Sequence, residues 1–187
     1  MRRDPEIEVL DEQGKPTGEA LPLSKVHDGE LWHRIALAWV YNTQGEVLLQ
    51  HRTLERDAFP NVWDVSASGH IQAGDSPIAT VVRELREELG IQVAPSELSI
   101  LGEVTDTFPL INGKTHKEHA VVYLVHRDVN LERLEFQTAE VDGARWMGLR
   151  DLAADMDKPD TRAGYSLRNP EVYRMALEAI WTLTAPD

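Results

Sequence analysis

The alternation of apolar and polar positions divides the chain into many short extended runs and two well-marked amphipathic helices. Residues 6–11 alternate and predict a strand, then a Gly- and Pro-containing turn; a stretch around Leu21 and Leu23 is expected to pair with it. The strongest strand pattern covers residues 33–41, where Ile35, Leu37, Trp39 and Tyr41 alternate with Arg34, Ala36, Ala38 and Val40. Asn42-Thr43-Gln44-Gly45 turns this run into residues 47–52, which predicts a hairpin. Residues 53–63 read as a loop around Pro60, and Trp63 leads a further strand into Gly69. Residues 91–93 and 98–108 look extended, and Asn112-Gly113 is a hairpin-closing pair whose returning strand is expected over 119–126. A strand over 143–147 and a short helix over 150–156 complete the middle of the chain.

The two long helices carry their own punctuation. Ser76 can cap the first, Pro77 suits its opening turn, and Gly90 suits the left-handed residue that ends it. Ile78, Val81, Val82, Leu85 and Leu89 form its apolar stripe, with the acids expected off that stripe. Asn169-Pro170-Glu171 opens the last helix, whose stripe is Val172, Met175, Ala176, Ala179, Ile180 and Leu183. Strands outnumber helices and the two do not alternate regularly, so the expected class is α+β with a mixed sheet. At 187 residues the chain reads as a single domain, 1–187, with residues 1–30 as an N-terminal extension.

Composition narrows the partners. A formal charge of −13 lacks the basic footprint that a nucleic acid needs, although a few cations in a cleft would still serve a small anion. The absence of cysteine removes disulfides, thiolate metal sites and a thiol nucleophile. No leader-like or membrane-spanning apolar run occurs, so the expectation is a soluble, cytoplasmic protein without a membrane or nucleic-acid partner; a homodimer is compatible with the sequence, which does not fix the oligomeric state.

Candidate chemistry concentrates in the first long helix. Glu84, Glu87 and Glu88 lie three and four residues apart and occupy an arc of roughly 100° on the helix. Like charges at that spacing repel, and a hard divalent cation such as Mg²⁺, or alternatively Mn²⁺, offsets the repulsion. Arg83, four residues before Glu87, is placed to pair with it and orient it. Taken alone, the charge run also fits a solvated acidic face, but that does not account for the glycine loop before the helix.

Residues 69–91 resemble the signature segment of the Nudix hydrolase superfamily, with Gly69, Arg83, Glu84, Leu85, Glu87, Glu88, Gly90 and Ile91 in register and Asp75 standing where the family has Glu. The seven Gly, Arg and acidic positions would match by chance on the order of 10⁻⁶ times in such a chain. The resemblance implies a mixed β-sheet between helices, metal ligation by Glu84, Glu87 and Glu88, and a site shaped by the backbone at Gly69. It also implies hydrolysis of a small diphosphate-containing substrate, a nucleoside diphosphate linked to another moiety. The general base is expected at Glu87, with Glu140 next and Glu118 behind; the last two read as exposed loop acids. Arg52 and Arg56 are candidate phosphate contacts, and Asp75, one methylene short, is as readily a helix-dipole residue as a metal-linked one.

A narrower resemblance, carried by residues 33–42, by Leu48-Leu49-Gln50-His51-Arg52 and by residues 63–70, is to the isopentenyl-diphosphate isomerase branch of the same superfamily. That branch is implied to use a Cys just before the Gly-His pair and to bind metal through histidines. Ser68 fills the Cys position, and a hydroxyl is a much poorer nucleophile and proton donor than a thiol, which speaks against isomerase chemistry. His27, His33 and His70 offer a metal set on paper, but their scatter reads more simply as surface or hydrogen-bonded residues. A non-catalytic nucleotide sensor is the remaining alternative, and the complete acidic set weighs against it.

Overall fold

The computed structural model describes residues 4–56, 58–110, 112–166 and 169–185. The elements run β1 (Glu6–Leu10), β2 (Pro16–Pro22), α1 (Leu23–Asp28), β3 (Trp32–Tyr41), β4 (Glu46–Arg52), β5 (Trp63–Asp64), β6 (Ala67–His70), α2 (Pro77–Leu89), β7 (Leu98–Pro109), β8 (Thr115–His126), β9 (Val141–Gly148), α3 (Leu149–Met156), α4 (Pro159–Arg162) and α5 (Pro170–Thr184). The α+β class with a mixed sheet is borne out. β3 is the hub of a nine-stranded sheet: it pairs antiparallel with β1, β4 and β6, and parallel with β8 along its whole length, from Trp32↔Lys117 to Tyr41↔His126.

The two faces of β3 explain the layering. Ile35, Leu37 and Trp39 belong to a buried cluster shared with Val172, Tyr173, Ala176 and Ile180 of α5. The small residues Ala36 and Ala38, with Val40, face the other way into a cluster with Val81, Leu85 and Leu89 of α2. Alternation along a strand therefore sorts the chain into a sheet with helices on both faces. α2 starts and stops where its punctuation places it: Ser76 Oγ accepts from the Ala79 N–H and Gly90 takes a left-handed φ of 71°. Asn169 likewise caps α5 through the Glu171 N–H.

Four expectations need correction. Leu23 opens the short helix α1 rather than extending the strand around Leu21. Residues 91–93 form no strand, because Ile91 folds back onto α2 through its N–H to Leu85 O. The run from Trp63 to Gly69 is divided into β5 and β6, which pair with different strands. β8 begins at Thr115 and not near His119, so His116 and Glu118 lie in a strand hydrogen-bonded on both sides, Phe108↔His116 and Asp106↔Glu118 on β7. Polar residues there disguise the strand, since the sequence pattern rewards apolar alternation while ladder pairing on two sides does not require it. The N-terminal segment, whose first three residues lie outside the described ones, joins the sheet through β1 and buries Ile7, Val9 and Val26 in a small cluster. Among the described residues no helix is long and apolar enough to cross a membrane.

Candidate active site and metal centres

A cavity of about 590 Å³ opens where β6, α2, α1 and the loops after β4 and before β9 meet. Glu84, Glu87, Arg83, Arg52, Arg56 and Glu140 all border it, so the acidic helix and the loop candidates share one space. Gly69 is the seam. A Cβ added there would clash with the Glu84 carboxylate, so glycine lets α2 lay this side chain against β6 without displacing it.

The three carboxylates of α2 are not equivalent. Glu87 is exposed, with 42% of its side chain accessible, whereas Glu84 is buried and Glu88 is 1% exposed. The acids therefore do not all lie off the buried face: two are drawn into the interior. Burial first, and the neighbouring Glu88 second, pushes the Glu84 carboxyl up to about 8. Glu88 is raised for the same leading reason, while Arg56 and the Ser68 N–H pull the other way. Its Oε2 accepts from Ser68 N–H at 3.0 Å and from Gln50 Nε2 at 3.3 Å, yet its Oε1 is buried without a partner among the described residues. A pair of desolvated carboxylates with an orphaned oxygen is a set that a divalent cation would satisfy, so the residues fit Mg²⁺ or Mn²⁺.

Arg83 pairs more closely with Glu84, Nη1 to Oε1 at 2.6 Å, than with Glu87 at 3.5 Å, and it reaches the His70 carbonyl at 3.4 Å. Arg52 is 3% exposed; its guanidinium donates to Asp64 Oδ2 at 3.0 Å and to the carbonyls of Ala58 and Phe59. Its visible work is to hold the loop of residues 53–62, in which Phe59 and Asn61 have φ of 47° and 57°. Arg56 and Glu140 form an ion pair across the cavity rim. Asp75 is exposed and does not border the cavity.

The scattered histidines are not scattered in space. His27 of α1, His33 of β3, His70 of β6 and His116 of β8 present ring nitrogens that all lie within 4.8 Å of one another. His27 Nε2 is 3.2 Å from His70 Nε2, and His116 Nε2 is 2.9 Å from His33 Nε2 and 3.3 Å from Glu118 Oε2. Glu118 is 2% exposed, so it is not a surface loop acid, and Glu140 is half-buried. Desolvation, then the charge of His116, takes His33 down to about 3, and desolvation lowers His70 well below its usual value. Both rings are neutral at neutral pH, and His33 Nδ1 hydrogen-bonds the Leu31 carbonyl at 3.0 Å, which turns the lone pair of Nε2 into the cluster. Neutral imidazoles converging in this way suit a transition ion rather than Mg²⁺.

Sequence reasoning missed His116. Its signal is the His-x-Glu spacing: His116 and Glu118 share one face of β8, and Glu118 registers with His33 on β3 while Ile35 registers with His70 on β6.

With this geometry established, comparison with known proteins defines the class. A family model described as the NUDIX domain matches residues 31–167. The chain is 31% identical over 160 residues to Nudix hydrolase 3 of Arabidopsis thaliana, covering 82% of this chain and 20% of that protein, so it spans only a fifth of that relative. It is 32% identical to an uncharacterized Nudix hydrolase of Clostridium acetobutylicum over 81% of this chain and 73% of that one. It is 30% identical to the isopentenyl-diphosphate Delta-isomerase of Escherichia coli over 80% of each. The crystal structure of DR0079 from Deinococcus radiodurans superposes with a TM-score of 0.67 at 18% identity, over 91% of this chain and 97% of that one, a likeness of fold. The chain belongs to the Nudix family. The Nudix hydrolases among its relatives support hydrolase activity on phosphoanhydrides.

Proposed function

We propose that the protein uses Mg²⁺ to hydrolyse a phosphoanhydride bond in a small diphosphate-containing molecule, of the class of a nucleoside diphosphate linked to another moiety. The observation that carries this reading is the meeting of Glu84 and Glu87 with Arg56 and Arg83 around one cavity of about 590 Å³, with Glu88 buried behind them on the Ser68 N–H. Glu84, Glu87 and Glu88 would hold Mg²⁺, or Mn²⁺ in its place, which when bound would supply charge neutralisation on the diphosphate. Glu87, the accessible member of the set, takes a proton from the attacking water, and Glu140 on the facing loop is the second candidate base. Arg83 orients the acids through Glu84 and Glu87, Arg56 meets phosphate, and Arg52 fixes the loop that carries Arg56.

Replacing Glu87 tests this. Glu87→Gln keeps the size of an exposed side chain and should lower Mg²⁺-dependent turnover by about 10²–10⁴-fold, the range expected for loss of a general base. Full turnover by the folded variant would sink the assignment. The substrate is sought among nucleotide and isoprenoid diphosphates by product mass.

A second reading has an observation of its own: the His27, His33, His70 and His116 cluster with Glu118, together with the similarity to the E. coli isomerase, favours isopentenyl-diphosphate isomerisation. Ser68 borders the cavity where that resemblance calls for a thiol, which places hydrolysis first. Release of two phosphate-bearing products supports hydrolysis, and interconversion of allylic isomers without release supports isomerisation.

A further inference from the structure

Each arginine around the cavity already holds a carboxylate: Arg52 holds Asp64, Arg83 holds Glu84 and Glu87, and Arg56 holds Glu140. The three arginines differ in how readily an incoming anion can draw them away from these acids. The side chains of Arg52 and Asp64 are 4% and 0% exposed, and opening a buried pair leaves uncompensated charge in the interior. Arg83 is tied to acids of α2 that the metal reading itself employs. Arg56 and Glu140 are 16% and 19% exposed and both border the cavity, so water reaches them and the pair is inexpensive to separate. The backbone beneath Glu140 is pinned. Thr53 N–H donates to Glu140 O at 3.0 Å, Thr53 Oγ1 to Ala139 O at 3.2 Å, and Gln137 N–H to Glu88 O at 3.2 Å. Glu140 can therefore release the guanidinium by side-chain rotation, without opening of its own loop.

We propose that Glu140 is a built-in competitor for the substrate diphosphate at Arg56, a specificity-determining residue that a singly charged or weakly charged anion fails to displace and a diphosphate displaces. This rests on the phosphoanhydride reading of the cavity, and it goes further by assigning to Glu140 a role in choosing the ligand. Binding of diphosphate transfers the guanidinium from carboxylate to phosphate, where its planar fork makes the stronger, bidentate contact. Gln137 Nε2, 3.2 Å from Glu140 Oε1, is one neighbour that holds the displaced carboxylate.

The test is equilibrium binding of imidodiphosphate, which is not hydrolysed at its P–N–P bridge, to the full chain in Mg²⁺, read by calorimetry. Any part Glu140 plays in turnover then stays out of the measurement. Glu140→Gln should tighten imidodiphosphate binding about fivefold, the effect of a partly exposed ion pair. Arg56→Gln should weaken it by a similar factor. Glu55→Gln removes the same charge one residue from Arg56, on an exposed side chain, and should change affinity less than twofold. Unchanged or weaker binding by Glu140→Gln overturns the proposal, and so does an equal gain from Glu55→Gln, which would reduce the effect to net charge. In the unaltered protein the ¹³C carboxyl signal of Glu140 and the side-chain N–H signals of Arg56 should move together on titration; a Glu140 signal unmoved at saturation overturns the proposal without any variant. Tighter binding by Glu140→Gln in a protein that turns over no diphosphate would retain the exchange and remove the hydrolase reading, so the two fail separately.

Discussion

Gly69 shows how one residue can decide whether the acidic helix is usable. Because an added Cβ would clash with the Glu84 carboxylate, Gly69→Ala must push either Glu84 or β6 aside, and Glu84 is also the acid that Arg83 holds at 2.6 Å. A displacement of about 1 Å in a catalytic constellation costs on the order of 100-fold in rate, so Gly69→Ala should lose about that much Mg²⁺-dependent hydrolysis while keeping its far-ultraviolet circular dichroism. Activity equal to the unaltered protein would show that Glu84 does not need its place against β6. The need for glycine was legible as a motif position, but its cause was not: the clash involves a side chain 15 residues away on another element, and no local pattern of the loop records it. The same limit applies to the acids. Their helical spacing was plain in the sequence, yet spacing does not tell that Glu87 stays exposed while Glu88 is 1% exposed and receives the Ser68 N–H.

At the scale of elements, legibility followed local bookkeeping. α2 and α5 were readable with their ends because Ser76, Gly90 and Asn169 act on neighbours within a few residues, and β3 was readable because its alternation is strong. His27, His33 and His70 were named as a set by the resemblance, but their convergence with His116 was not readable, since α1, β3, β6 and β8 each give one ring and the pairing of β3 with β6 and β8 brings three of those rings together. α1 was itself unmarked: it has six residues, and Pro22 at its start makes no side-chain cap. β8 supplies both His116 and Glu118, so it should matter more to a transition ion than any other strand. Outer-shell partners alone change metal affinity by about 10–100-fold, so loss of a direct imidazole in His116→Ala should weaken Co²⁺ binding by at least about tenfold. The visible absorbance of bound Co²⁺ reports this without reference to turnover. An affinity unchanged by His116→Ala would leave the four rings a packed cluster and not a metal centre.

The whole molecule stores two opposing sets of titrating groups around one cavity, and their balance sets how stability responds to pH. His33 is held down to about 3 from 6.5, so between those values the unfolded chain binds more protons than the folded one and stability rises with pH. Glu84 is pushed up to about 8 from 4.5, so between those values the folded chain binds more protons and stability falls as pH rises. From about 4.5 to 6.5 the two contributions oppose, while above 6.5 the His33 contribution no longer changes and the raised Glu84 carboxyl makes stability fall as pH rises. Glu88, raised by burial as well, adds in the same direction as Glu84, and His70, lowered by burial, adds in the same direction as His33. A chain of formal charge −13 gains nothing by adding another buried carboxylate charge, which is why a cation matters at this scale and not only at the ligands. In EDTA, the melting temperature should therefore hold nearly level from about pH 5 to 6.5 and decline from 6.5 to 8. Mg²⁺ favours the ionised carboxylates, lowers the pH at which Glu84 gives up its proton, and should remove most of that decline. Thermal melts at pH 6.5 and 8, in EDTA and in Mg²⁺, decide the matter. A metal-free protein as stable at pH 8 as at 6.5, or an alkaline decline that Mg²⁺ leaves in place, would separate the acidic helix from cation binding.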